Sequence, residues 1–462
     1  MKEWKKISLF VCVFAFVREF RPIEPFYAAY LTSPAINITL IEVSRDVYSV
    51  GAYSCFVLII IVFLITDYLR YKPVLIVDGL CGMITYFNII GSPGILRMQI
   101  GQVFYGFFFS SEVAYFGYLY AMTEDKRYYQ RITGQARAAC LSGKFISSLL
   151  AQSLSLINGS VPFVELVYMS AFGMFFSTIW AFIMPSVKHS IYFHAADIES
   201  TTQTSSAIVY SPKGIESETV KAIKSAYQEK KEAVKQCDIK KGNFRKALAR
   251  LWNDFKNSYS DPYVVKLCFW WALAYGAYVQ VYTYINVLYT YTLDLNNDSE
   301  FTLYNGAAES LNTLIGAISA YLIGKLELNW FRVGDAFFAV GSMLAGLVLF
   351  GCYCTRTLWF IYAFYIIYGC LYQTMLTIAE SEVAKRLGKD SYGLVFGFNS
   401  FIALFLHTLM TYGIVQGHVI SVTTAQQFTI YAGYYTFLGL LFCGFVVKKH
   451  LTAKEKLLVC KL

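Results

Sequence analysis

Between Arg97 and Glu124 run 26 residues, Met98 to Thr123, rich in Phe, Tyr, Val and Ala, and the only charge among them is Glu112. A run of that length crosses a bilayer, where an ionisable group near the middle costs roughly 2–4 kcal/mol unless it meets a polar cavity or a partner. Gln102, Tyr105, Phe109 and Glu112 follow at intervals of three, four and three, the spacing of one helical face. Tyr115 continues the stripe. An amide, a phenol and a carboxylate on one face predict a surface that looks into a bundle and holds a ligand rather than lipid. A second polar group is Arg21-Pro-Ile-Glu-Pro. Its prolines predict a break at Pro22 and Pro25, which turns Glu24 to a cavity or ties Arg21 to Glu24 or Glu19. Asp78, Lys144, Glu165, Gln280, Glu309, Gln373, Glu380 and His407 are further polar groups within or at the edges of apolar runs. Lys144 has Glu112 and Asp78 as candidate partners, and an imidazole titrates near neutrality, which suits His407 to relay protons.

The elements that must carry these groups are membrane helices. A chain of 462 residues that is 56% hydrophobic and 15% charged, with a mean hydropathy of +0.47, is too apolar for a soluble protein of that length. Windows of about 20 apolar residues predict spans near 7–31, 46–66, 73–92, 98–122, 137–158 and 162–184, then 263–290, 304–326, 332–352, 357–380, 393–416 and 426–448. The expected architecture is an all-α polytopic membrane protein of twelve transmembrane helices in two six-helix bundles, the major facilitator fold. The bundles occupy 1–184 and 263–448. A cytoplasmic loop with an amphipathic helix fills 185–262, and 449–462 is a cytoplasmic tail. In that loop Phe244, Leu248, Leu251, Trp252 and Phe255 recur at helical spacing among Arg245, Lys246, Arg250 and Lys256, the pattern of a helix lying on the inner leaflet.

Charge sets the sidedness. With both termini cytoplasmic, the inner connections and tails hold most of the 39 Lys and Arg, whereas the outer connections hold three, Arg45, Arg97 and Arg356. The chain's three Asn-x-Ser/Thr sites, at Asn37, Asn158 and Asn297, all fall in connections that this rule places outside, where glycosylation is chemically available. The lysines before Ile7–Val17 imitate a signal peptide, but no small-x-small cleavage site follows, so the segment reads as the first span. The eleven cysteines are mostly scattered through apolar runs as small hydrophobes and suggest neither a disulfide framework nor a metal site.

The motifs that would signal other chemistry are absent from the sequence: no Gly-x-x-x-x-Gly-Lys-Ser/Thr loop, no His-Glu-x-x-His and no nucleophile elbow. The expectation is a secondary or facilitated transporter that is not an enzyme, needs no cofactor and binds no nucleic acid. Its partners are a small solute, the lipid bilayer and a coupling proton or anion. A non-transporting receptor or scaffold on the same fold is the alternative, though it has no need of polar groups in several spans.

Several segments resemble the reduced folate carrier and thiamine transporter family, a branch of the major facilitators. They are Arg21-Pro-Ile-Glu-Pro-Phe, Thr66-Asp-Tyr-Leu-Arg-Tyr-Lys-Pro, Glu112-Val-Ala-Tyr, Tyr129-Gln-Arg-Ile-Thr-Gly, Tyr304-Asn-Gly-Ala-Ala-Glu and Leu394-Val-Phe-Gly-Phe-Asn-Ser-Phe. The resemblance implies import of a water-soluble vitamin across the plasma membrane. It further implies that Glu24, Gln102, Tyr105, Glu112 and His407 contact the substrate and that Asp67, Arg70 and Lys72 latch the cytoplasmic side. Folate carriers have an arginine where this chain has Glu112, a basic residue at Gly369 and a lysine at His407, and a site without those cations is a poor trap for a dianion. The thiamine branch has a glutamate at Glu112, but a tryptophan where span two has Gly51 and an acidic residue where span four has Gln102. A glutamate near aromatic rings suits a flat organic cation. The resemblance thus favours a thiamine-like cation, with reduced folate as runner-up.

Overall fold

Long apolar runs can satisfy their backbone in lipid only as helices or closed barrels, and this chain takes the helical route. The computed structural model describes residues 3–91, 93–123, 129–187, 249, 251–296, 303–325, 328–387 and 392–459, and no strand occurs among them. The first half comprises α1 (Glu3–Arg18), a 3₁₀ turn (Glu24–Phe26), α2 (Tyr27–Leu31), α3 (Leu40–Glu42), α4 (Tyr48–Tyr68), α5 (Lys72–Asn88), α6 (Ile95–Ser110), α7 (Glu112–Ala121), α8 (Tyr129–Asn158) and α9 (Phe163–Ile183). The second comprises α10 (Pro262–Asn296), α11 (Asn305–Lys325), α12 (Trp330–Cys354), α13 (Leu358–Arg386), α14 (Tyr392–Met410) and α15 (Thr424–Val459). Eight helical stretches among the described residues are long and apolar enough to cross a membrane. Their outer faces carry Phe172, Leu347, Trp359 and Phe437, all exposed, the apolar surface that a bilayer rather than water would cover.

Helix α4 packs on α6, α6 on α5, α5 on α9, and α1 on α8; in the second half α10 packs on α14, α11 on α13, and α12 on α15. Contacts between the halves run from α8 to α11, from α4 to α14, and from α2 to α10. The α4–α6 approach depends on Gly106, where a Cβ would lie 2.8 Å from the Ser54 carbonyl carbon. Close approach at small residues is a common basis of helix association in lipid.

The first span breaks where its charges sit. Helix α1 ends at Arg18, and the chain turns through Arg21 N–H to the Glu19 carbonyl and Glu24 N–H to the Arg21 carbonyl before the 3₁₀ turn. The break lies N-terminal to the expected Pro22 position because Arg18, Glu19 and Arg21, all buried, fold into one ion network. Arg18 Nε donates to Asp78 at 3.0 Å and its Nη1 to Glu19 at 2.8 Å, while Arg21 donates to Glu19 at 2.5 Å and to Glu24 at 2.9 Å. Lys144 of α8 stands 3.6 Å from Glu19. This corrects the expected Lys144 pairing with Glu112 or Asp78: Asp78 is already held by Arg18 and by Ser111 Oγ.

Span four is also interrupted. Arg18 Nη2 and Ser111 Oγ both donate to the Phe108 carbonyl, and α6 stops at Ser110 while α7 starts at Glu112. Donors inserted into the helical ladder take up a carbonyl that would otherwise accept an intrahelical bond and so interrupt the helix. The expectation of one continuous face from Gln102 to Glu112 is therefore corrected at Ser111.

Residues 188–248 and 250, with Phe244 and Leu248 of the expected amphipathic helix, lie outside the described residues. Residues 251–258 are helical. Phe255 packs edge-on against Phe398 of α14, with centroids 4.8 Å apart, and the exposed Trp252 stacks on Phe255 from the other side of that ring, with centroids 5.7 Å apart.

Candidate functional site

A cavity opens between α2, α4, α5 and α6 on one side and α10 and α14 on the other. It encloses about 770 Å³ of empty space, its open mouth and adjoining solvent included. Glu24, Gln102, Tyr105 and His407 all line it, with Tyr27, Tyr48, Gly51, Thr85, Tyr86, Phe109, Tyr282 and Asn286 among the others. Glu24 reaches the wall because the break after Arg18 carries it out of the helical path. Its Oε1 accepts from Arg21 at 2.9 Å and from the Tyr86 hydroxyl at 2.5 Å, while Oε2 receives no hydrogen bond from a described residue. One carboxylate oxygen is fixed from behind and the other is available to a ligand.

The remaining wall is aromatic and polar but bears no Lys or Arg among the lining residues. Tyr27 and Tyr48 stack with centroids 5.9 Å apart, and Tyr105 leans on Phe109 at 6.1 Å. Gln102 Nε2 donates to the Tyr27 hydroxyl at 3.5 Å, a long and therefore weak bond. His407, on α14, is buried, and its Nδ1 has no partner. The second half clamps the Glu24 turn: Asn286 Nδ2 donates to the Glu24 carbonyl at 3.3 Å and Asn305 Nδ2 to the Pro25 carbonyl at 3.0 Å.

Glu112 is not in this cavity. It lines a smaller neighbouring one with Tyr275, Val113, Phe396 and Ser400, and Phe109 is the wall common to both. No described cation lies within ion-pair distance of it. Of the expected cytoplasmic latch, the Asp67 side chain lies outside the description, Arg70 is exposed with φ of 58°, and Lys72 Nζ donates to the Phe182 carbonyl at 2.8 Å, inside the first half. Among the described residues, an ion pair between Arg137 of α8 and Glu380 of α13 joins the two halves. Asn37 sits in a left-handed turn with φ of 59°, Asn158 ends α8 exposed, and Asn297 lies outside the described residues.

Sequence reasoning missed Tyr86, Tyr282, Asn286 and Asn305. Asn286 carried a signal, an amide in the apolar run of span seven. The tyrosines carried none, being two of 37 in the chain.

The solved structure of a POT family transporter in complex with 5-aminolevulinic acid superposes with a TM-score of 0.59 over 96% of this chain and 96% of that one, at 15% identity. The fold is therefore that of the major facilitator transporters. Human thiamine transporter 1 is 32% identical over 450 residues, covering 95% of this chain and 89% of that protein. Folate transporter 1 of Caenorhabditis elegans is 29% identical over 443 residues, covering 96% and 92%. The family model described as reduced folate carrier matches residues 2–430. With that match across nearly the whole chain, and with relatives that are transporters throughout their length, the protein belongs to the reduced folate carrier family of membrane transporters.

Proposed function

We propose that this protein carries a water-soluble vitamin across the plasma membrane, a thiamine-like organic cation first and a reduced folate second. The observation that supports the choice is the cavity lining, which among the described residues holds one carboxylate with a free oxygen, six aromatic rings (Tyr27, Tyr48, Tyr86, Tyr105, Phe109 and Tyr282) and no Lys or Arg. A flat cation gains from the ring faces and from Glu24. A dianion would leave its carboxylates desolvated beside a carboxylate, and the nearby Arg21 is already spent on Glu19 and Glu24. The unpartnered His407 imidazole is the feature that keeps folate as the second reading.

The proposed mechanism is alternating access by two six-helix bundles of a twelve-span chain, with both termini cytoplasmic. Substrate contacts Glu24, Gln102, Tyr105 and His407 and is enclosed as the halves rock. Glycans on Asn37, Asn158 and Asn297 belong to the outer side in this reading, and Asp67, Arg70 and Lys72 to an inner latch engaged in another stage of the cycle. In this reading the Arg137–Glu380 pair serves as the inner closure. Arg137→Glu or Glu380→Arg alone is expected to lower uptake at least roughly tenfold, and the two together to restore much of it, since the double exchange rebuilds the pair. Uptake equal to native in both single variants removes the latch role.

Glu112 occupies the adjoining cavity on the seam between α7, α10 and α14, which fits a coupling carboxylate that takes up and releases a proton as the halves move. Labelled thiamine uptake in vesicles is expected to fall sharply in Glu112→Gln with the amount of inserted protein unchanged. Native uptake in that variant contradicts the role.

A further inference from the structure

Gly51 of α4 and Gln102 of α6 face each other across the cavity wall, and one occupies the space the other lacks. A Cβ on Gly51 would lie less than 3.0 Å from Gln102 Oε1 and 3.4 Å from its Cδ, yet 3.9 Å from its Cβ, which is ordinary contact. The conflict is thus confined to the end of the Gln102 side chain. Gln102 is buried, and the one hydrogen bond its amide makes with a described side chain is the 3.5 Å contact to Tyr27. The carboxamide is therefore held in place by the missing side chain at position 51 more than by any bond of its own.

We propose that Gly51 is a specificity-determining residue: its bare Cα is the berth into which the Gln102 carboxamide folds, and the pair sets the width and charge of the cavity at this end. A side chain at position 51 expels the carboxamide into the volume the ligand needs. With the carboxamide in its berth, this wall is neutral, and Glu24 is the only carboxylate among the described residues lining the cavity. The site then takes a flat heterocycle bearing at most one positive charge, and a dication gains no second counter-charge here. This inference rests on the cavity being the substrate site.

The test is a double-mutant cycle in proteoliposomes, run on whichever of labelled thiamine, pyridoxine and a reduced folate the native protein carries. Gly51→Ala alone is expected to raise KM about tenfold or more with Vmax and melting temperature little changed, because the obstructed group is the free end of a flexible side chain. Added to Gln102→Ala, the same Gly51→Ala is expected to change KM less than about twofold, because the atoms it obstructed are gone. Equal effects of Gly51→Ala in both backgrounds, or a native KM in Gly51→Ala alone, overturn the pairing. A native protein that carries pyridoxine or folate but not thiamine overturns the thiamine reading instead, while the cycle on the carried ligand still decides the pairing. If it carries none of the three, the substrate-site reading on which the pairing rests fails with it.

Discussion

Arg18→Met is expected to leave almost no folded protein in the membrane. Arg18 is 3% exposed and Asp78 1% exposed, and the guanidinium satisfies Asp78, Glu19 and the Phe108 carbonyl at once. It also lies 4.1 Å from the Phe108 ring centroid. Methionine keeps most of the apolar stem but strands a carboxylate in a low-dielectric interior, which costs about 3–5 kcal/mol, a large part of the ~5–15 kcal/mol that holds a typical protein folded. The monodisperse fraction after detergent extraction and the melting temperature should both drop. Arg18→Met with Asp78→Asn should recover part of the loss, because the stranded charge is removed with its partner. A single variant as abundant and as heat-stable as native would show that the network contributes nothing to the fold.

Glu24→Gln is expected to abolish most uptake while leaving the protein folded. The amide has the same shape, and its oxygen still accepts from Arg21 and Tyr86, so the turn keeps its hydrogen bonds. The negative charge facing the ligand is lost, along with a charge-assisted contact worth about 2–3 kcal/mol. That corresponds to roughly a 30- to 150-fold rise in KM for a cationic substrate. Uptake kinetics with inserted protein measured in parallel check it. A KM within twofold of native places the substrate's charge away from Glu24.

The helices could be read in the sequence because lipid leaves the backbone so little choice. Hydropathy alone marks where α4, α9, α12 and α15 run. Within a degree of detail set by local pattern, the site was legible too: Gln102 and Tyr105 share a face, and the cost of a charge in lipid singled out Glu24. What pattern could not supply was tertiary. The helix is interrupted at Ser111, where Arg18, more than 90 residues away in the chain, donates to the Phe108 carbonyl, and Glu112, just past that interruption, lines the neighbouring cavity instead of the one its spacing assigned it to. Lys144 pairs with Glu19 because Asp78 was already taken, a competition decided only when α1, α5 and α8 meet. Gly51 and Gln102 were visible as two separate departures from the thiamine branch. Their contact across α4 and α6 makes them a single feature.

The proposed substrate of the cavity around Glu24 is a flat organic cation. Saturable uptake of labelled thiamine into vesicles, measured with unlabelled thiamine or a reduced folate as competitor, tests it most directly. Uptake is expected to saturate and to be inhibited strongly by unlabelled thiamine and little by the folate. Absence of thiamine uptake, together with saturable uptake of the folate, would contradict it.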